Sequence, residues 1–178
     1  MNITFKLNLE NNRTFHFVIL AVFLCVELIL HYLEIFISIP IGGNTLKIGI
    51  SNIIVLSALY LFGEFDSFFL AVAKAPLVML LEPQFNLMTL LISLSGSILS
   101  FTLMVIFKNI FKTEIVVTSC IGGVFHNFGQ LIAVIIITKL SILIWYLPFL
   151  VVIGIITGYL VGSLSDFVVN KLNLLKHK

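Results

Sequence analysis

Four long apolar runs limit what this chain can fold into more than any other feature of its sequence. They cover residues 15–37, 87–107, 115–138 and 143–168. A helix of about 20 apolar residues is long enough to cross the hydrocarbon core of a bilayer. Only 10% of the residues are charged and 60% are hydrophobic, whereas about a quarter of a soluble domain is charged. The sequence therefore predicts an all-α integral membrane protein.

The region between the first two runs is harder to assign. Residues 48–62 and 68–81 are two shorter apolar stretches, separated by an acidic turn at residues 63–67. They can form two short or tilted helices, or one re-entrant pair. Turn-forming residues at both outer ends, at 40–44 and 82–84, favour two helices. We therefore expect a bundle of about six transmembrane helices.

The basic residues predict how this bundle is oriented. We expect one six-helix domain, residues 15–168, between a polar N-terminal segment, 1–14, and a basic tail, 169–178. With the N-terminus in the cytoplasm, basic residues are concentrated on the inner side, as is typical of membrane proteins. We expect the cell membrane as the location, with both termini cytoplasmic. The inner residues are Lys6, Arg13, Lys108, Lys112, Lys171, Lys176 and Lys178, and the outer ones are Lys47 and Lys139.

A polar stripe interrupts the apolar run at residues 115–138. Gly122, His126 and Gln130 are spaced i, i+4 and i+8, so they share one helix face, with Asn127 beside them. One interpretation is that these groups only form hydrogen bonds between helices. The other is that they line an internal cavity, and three adjacent polar side chains favour the cavity.

A second stripe lies in the first predicted helix, where Glu27, His31 and Glu34 are spaced i, i+4 and i+7. Glu27 is far from both ends of its run, so it requires a proton or a cationic partner. Lys74 is the only cation expected at the same depth. A proton relay, a substrate-facing wall, a metal site and a purely structural Glu27–Lys74 pair all remain open.

Small residues recur at helical spacing in two other runs. Gly154, Gly158 and Gly162 form a tandem GxxxG in the last run, and such faces let helices approach closely. We expect them to pack within the bundle, although a partner protein is the alternative. Ser93 with Ser97 and Gly96 with Ser100 form similar pairs.

Several enzyme signatures are missing from the sequence. It has no GxxxxGK[ST] nucleotide loop and no GxSxG motif, and its two aspartates, Asp66 and Asp166, are far apart. An acidic cluster that holds Mg²⁺ on a diphosphate is therefore absent. We expect no enzyme activity, no cofactor and no metal. The net charge of +2 resides in the flanking segments, so the expected partner is the bilayer and not nucleic acid.

Short strings in the sequence resemble a known membrane family. Glu34 precedes Pro40, KIGISN follows at residues 47–52, SGSILS lies at 95–100, and GVFHNFGQ lies at 123–130. Together they resemble the Gx transporter family, also labelled heptaprenyl diphosphate synthase component I. The K-x-G-x-x-N and H-N-x-G-Q patterns are its specific part.

The family is similar in size and helix count to the substrate-binding S components of energy-coupling-factor importers. In those importers a separate transmembrane protein and two ATPases supply the energy, which would explain the missing nucleotide loop. The resemblance implies a set of candidate ligand contacts. They are Lys47, Asn52, His126, Asn127 and Gln130, joined by Glu34 and Lys74.

Our hypothesis from the sequence is the substrate-binding component of such an importer, for a small amphipathic metabolite. The pocket would open outward, with residues 39–47 covering it and the fifth helix flooring it. One alternative is a proton-coupled carrier that uses Glu27, His31 and Glu34 as its relay. Another is a non-catalytic membrane subunit associated with polyprenyl diphosphate or quinone synthesis.

Overall fold

The fold is known from a computed structural model, which describes residues 13–35, 39–41, 44–46, 49–81 and 87–176. Within these ranges the chain forms six α-helices and one short β-hairpin. Four of the helices, α1, α4, α5 and α6, are long and apolar enough to cross a membrane. The prediction of a helical membrane protein with about six helices is therefore confirmed. The elements are α1 (Arg13–Ile35), β1 (Ile39–Ile41), β2 (Asn44–Leu46), α2 (Asn52–Leu61), α3 (Glu64–Leu81), α4 (Leu87–Ile110), α5 (Ile115–Thr138) and α6 (Leu147–Lys176).

Helix α2 is shorter than the sequence predicts. It has 10 residues, which corresponds to a length of about 15 Å, or roughly half the hydrocarbon thickness of a bilayer. The predicted start at residue 48 is wrong because Gly49 has a left-handed φ of +83°, which a helix cannot continue through. The amide of Asn52 donates to the Gly49 carbonyl oxygen at 3.0 Å, so a tight turn leads into the helix.

The predicted acidic turn at residues 63–67 is also wrong, because most of it belongs to helix α3. The chain reverses at Gly63, which has a φ of +115°, and the amide of Gly63 donates back to the Ala58 carbonyl oxygen. Glu64 and Asp66 then occupy the first turn of α3. Carboxylates are favourable there because they face the positive end of the helix dipole.

Helices α5 and α6 show where the apolar pattern is and is not a sufficient guide. Helix α5 has the predicted bounds, whereas α6 begins at Leu147 and continues to Lys176, beyond the predicted end at residue 168. A 3₁₀ turn, Ser141–Tyr146, replaces the predicted first residues of α6. Val169 is buried, so α6 continues to pack on the bundle within the segment expected to be a tail.

Helix α5 packs between α4 and α6, and the contact between α5 and α6 is the most extensive in the described fold. Three glycines of α6 make that contact possible. A Cβ atom on Gly154, Gly158 or Gly162 would lie within 2.8 Å of α5 atoms, closer than carbon atoms approach without a clash. Helix α2 contacts α1, α3, α5 and α6, and its side chains supply much of the buried core.

Candidate functional site

Two contacts at one end of α2 fix its depth in the membrane. At its C-terminal end, Lys108 Nζ donates to the Leu59 carbonyl oxygen at 2.6 Å, and the Tyr60 hydroxyl lies 2.8 Å from Thr118 Oγ1. Lys108 lies in the last turn of α4 and Thr118 in the first turn of α5, so this end lies near one membrane surface. Because α2 extends only about 15 Å from there, its N-terminal residue, Asn52, lies near the middle of the membrane.

Lys74 connects three helices at this central level. Its Nζ atom donates to Ser51 Oγ at 3.1 Å and to Asn52 Oδ1 at 2.9 Å. It also lies 3.4 Å from Glu27 Oε1 on α1. Glu27 is 0% exposed and Lys74 is 7% exposed. The ammonium group is therefore enclosed, and the structure brings the polar residue of α1 together with those of α2 and α3.

The Glu27 carboxylate is poorly satisfied for a buried charge. Among the described residues, neither of its oxygens accepts a hydrogen bond, although buried polar side chains are usually hydrogen-bonded. Its separation from Lys74, 3.4 Å, exceeds the roughly 2.7–2.9 Å of a charge-assisted hydrogen bond. Glu27 thus holds its position through packing and charge attraction, without directional bonds.

His126 and Gln130 satisfy each other. Gln130 Nε2 lies 3.1 Å from His126 Nε2, and because an amide nitrogen only donates, the ring nitrogen accepts and its proton lies on Nδ1. The ring also packs against α4, since a Cβ atom on Gly96 would lie 3.2 Å from His126 Cε1. His126 therefore bonds within its own helix and packs against α4, and a ligand would have to replace the bond to Gln130.

Asn127 links α5 to α6. Its Nδ2 atom donates to the Leu150 carbonyl oxygen on α6 at 2.9 Å. His126 and Asn127 are adjacent in sequence, so they point to different neighbouring helices. Asn127, beside the polar stripe, thus bonds between helices, and both His126 and Asn127 border internal space.

Two small cavities lie between the helices at this level, and Asn52, Ser100, Met104 and His126 line both. The larger has a volume of about 30 Å³, and the smaller, about 10 Å³, is the one that Lys74 lines. A buried water needs about 10–15 Å³ of such space. The cavities therefore have room for a few waters in this conformation. The larger one is also lined by Gly49, Leu56, Ser119, Gly122, Gly123, Asn127, Thr157, Gly158 and Val161.

Not every residue expected at the site is brought to it. Lys47 lies outside the described residues, as does the side chain of Glu34, whose backbone is in the last turn of α1. His31 lies one turn beyond Glu27 and is partly buried. Within the ranges that the structure describes, no three His, Cys, Asp or Glu residues are grouped as metal ligands.

Sequence reasoning missed the small hydroxyl residues of the site. Ser51 accepts from Lys74, and Ser100, Ser119 and Thr157 line the larger cavity. Ser51 and Ser100 had a usable signal, since they lie within the KIGISN and SGSILS strings. Ser119 and Thr157 gave no such signal, because serine and threonine are common in transmembrane helices, where they bond their own backbone.

A comparison with curated proteins and a comparison with solved structures each gave no match. Residues 23–168 match the family described as heptaprenyl diphosphate synthase component I. The match covers well over half of the chain and extends from α1 to α6, so it includes the whole polar level around Lys74. The resemblance of the short sequence strings is thereby confirmed, and the chain is a membrane-embedded member of the heptaprenyl diphosphate synthase component I family.

Proposed function

We propose that this protein is a membrane transport protein, the substrate-binding component of an energy-coupling-factor-type importer for a small amphipathic metabolite. One observation carries the proposal. Polar side chains from α2, α3 and α5 converge on two adjoining cavities near the middle of the membrane. Polar groups at that depth are costly and mark substrate or ion sites.

The broken path of the chain at α2 supports the same function. Helix α2 begins near mid-membrane, at Asn52, and is preceded by a turn at Gly49. Non-helical backbone at that depth is tolerated where it is enclosed by protein or lines a cavity. Discontinuous helices of this kind form the substrate sites of many transporters. Within this proposal the hairpin β1–β2 covers the site from the outside.

The size of the cavities indicates that this conformation is closed. A volume of about 30 Å³ is far below the roughly 300 Å³ or more of a typical ligand site. We therefore expect α1, α2 and α3 to move away from α4, α5 and α6 when the ligand enters. In that open form Asn52 and Asn127 would offer amide donors and acceptors, while His126 and Gln130 would exchange their mutual bond for the ligand. Lys47 and Glu34 remain predicted contacts.

Co-purification followed by binding measurements tests this function. Mass spectrometry would identify the small molecule that accompanies the wild-type protein, and its affinity would then be measured for variants in a defined lipid. We expect His126→Ala and Asn127→Ala each to weaken binding about tenfold or more, since each removes a polar group that lines the cavity. Thr102→Ala is the matched control, because Thr102 is exposed and its hydroxyl bonds its own helix. Unchanged affinity in both site variants would place the ligand elsewhere.

A self-sufficient proton-coupled carrier is the second candidate, and the buried Glu27–Lys74 pair favours it. The sequence assigned the relay of this carrier to Glu27, His31 and Glu34. Uptake into proteoliposomes separates the two candidates. The importer component should give uptake only with a transmembrane coupling protein and two ATPases. Uptake by the chain alone, driven by a pH gradient and lost in Glu27→Gln, would support the carrier.

The family description favours a third candidate, a non-catalytic membrane subunit associated with polyprenyl diphosphate or quinone synthesis. Its discriminating observation is stable co-purification with a soluble synthase. We expect no such complex, and we expect both termini to lie in the cytoplasm and the protein to lie in the cell membrane.

A further inference from the structure

Lys74 is a well-positioned cation whose present counter-ion is weakly held. Ser51 and Asn52 fix its ammonium group through hydrogen bonds of 3.1 and 2.9 Å. Glu27 approaches only to 3.4 Å, and neither of its oxygens accepts a hydrogen bond within the described ranges. The two neutral acceptors therefore position the cation, and the carboxylate neutralises its charge without directional bonds.

The surroundings of Lys74 are suited to an anion. Helix α2 begins at Asn52, so its N-terminal end, the positive end of the helix dipole, lies beside the ammonium group. In transporters with broken helices, such ends face the anionic groups of substrates. Asn52 and Lys74 both line the smaller cavity, and Asn52 also lines the larger one. Positive potential therefore borders both of these cavities.

Charge balance decides what happens to Glu27 when an anion arrives. The Glu27–Lys74 pair is neutral, so an added anion would leave one uncompensated negative charge in a medium of low dielectric constant, which is very unfavourable. Uptake of one proton by a carboxyl group removes that charge. The nearby titratable groups are Lys74 on α3, His31 one turn along α1, and His126 on α5. Helix α2 contributes Ser51 and Asn52, which do not titrate, and His126 already bonds Gln130.

We infer that the substrate is a monoanion, such as a carboxylate, that replaces Glu27 as the counter-ion of Lys74, and that Glu27 takes up one proton as the anion binds. The inference rests on the proposed substrate-binding function and deepens it. Among the side chains whose burial the structure describes, Lys74 is the one buried Lys or Arg. A single cation matches a single negative charge, so a diphosphate would carry more charge than these groups neutralise.

The test uses the full-length protein in lipid nanodiscs and a small-molecule cell extract that ion exchange separates into anionic, neutral and cationic fractions. We expect the anionic fraction alone to raise the melting temperature. Because one proton accompanies each anion, the amount needed for half the effect should rise up to tenfold per pH unit in the alkaline range. In Glu27→Gln the response should persist and lose its pH dependence.

Two further variants show whether a lost response is due to a failure to fold. The double variant Glu27→Gln/Lys74→Met replaces a neutral pair by neutral residues, so it should fold and no longer respond to the anionic fraction. Lys171→Met, an exposed charge change on α6, should respond as the wild type does.

Each other outcome overturns part of the scheme. Stabilisation by the neutral or cationic fraction alone rejects the anion and leaves the proposed function intact. A wild-type response without pH dependence rejects the proton uptake by Glu27. A full response in the double variant rejects Lys74 as the anion's counter-ion. If no fraction stabilises the protein, both the inference and the proposed function fail.

Discussion

The two halves of this bundle are held together by different kinds of contact. Helices α4, α5 and α6 meet through glycine and serine, so their backbones nearly touch. A Cβ atom added at Gly158 would lie 2.6 Å from the Cys120 Cα atom. Helices α1, α2 and α3 meet through apolar side chains of the core and through the long side chains of Glu27 and Lys74, at 3.4 Å. Backbone contacts fix one geometry, whereas long polar side chains can exchange partners.

This difference indicates which half moves. The interlocked backbones of α4, α5 and α6 cannot shift without clashes, because packed interiors have little free space. The α1–α3 half meets α4, α5 and α6 through core side chains such as Leu56 and Met104, and side chains repack more readily than backbones. The glycine-packed half is therefore expected to be the frame of the protein, and the half containing the ion pair is expected to be its moving part.

The largest loss of stability is expected from Gly158→Val, which disrupts the packing of α6 on α5 in the frame. Its added side chain would meet the backbone of α5 at Ser119 and Cys120, and backbone cannot move aside as a flexible side chain can. Overpacking typically costs about 1–3 kcal/mol and occasionally more, and a side chain forced against backbone is expected to exceed that range. Thermal unfolding in a fixed detergent measures it. Ser163→Val is the control, since Ser163 is on the exposed side of the same helix, and equal melting temperatures for the two variants would contradict the frame.

The next largest loss of stability is expected from Lys74→Met, which breaks the ion pair of the moving half. It leaves the Glu27 carboxylate buried and without its counter-ion, a change that costs about 3–5 kcal/mol in proteins. Glu27→Gln/Lys74→Met should recover most of that loss, because no buried charge is left. Thermal unfolding of the two single variants and the double variant gives the coupling energy. Additive effects would mean that the two side chains do not interact.

Sequence reasoning succeeded where one physical requirement dominated. The bounds of α5 followed from an apolar run of 24 residues, and the Glu27–Lys74 pair followed because a charge at that depth needs a partner. It failed at α2, where the apolar run suggested a helix from residue 48. A left-handed Gly49 delays the start of the helix to Asn52, and hydropathy does not register backbone conformation.

The residues of the candidate site were easier to predict from the sequence than the contacts between them. Asn52 and His126 were expected as ligand contacts and Lys74 as the partner of Glu27, yet the structure joins all of them at one level. That convergence depends on how far α2 extends into the membrane. Spacing within single helices carries no information about such distances between helices.

A smaller effect is expected from Lys108→Met, which weakens the link between the two halves. Lys108 donates to the Leu59 carbonyl oxygen at the end of α2, and its Nζ atom lies 5.0 Å from the centre of the Tyr60 ring. Loss of a charged donor at a helix C-terminus costs about 2 kcal/mol. Thermal unfolding against the exposed control Lys112→Met tests this, and a similar small change in both would mean that α2 does not need the link.

The smallest loss of stability is expected from two serine variants, and these distinguish the two halves most directly. Ser165 on α6 is fully buried and donates to the Ile53 carbonyl oxygen of α2 at 3.2 Å, whereas Ser100 on α4 donates to the Gly122 carbonyl oxygen of α5 at 2.8 Å. Ser165→Ala and Ser100→Ala should each cost about 1 kcal/mol, because each carbonyl keeps its helical bond. Their local effects should differ. Hydrogen exchange in α2 should become faster in Ser165→Ala and stay unchanged in Ser100→Ala, since the frame holds α4 and α5 together through glycine contacts. Equal exchange in α2 for both variants would mean that α2 belongs to the frame.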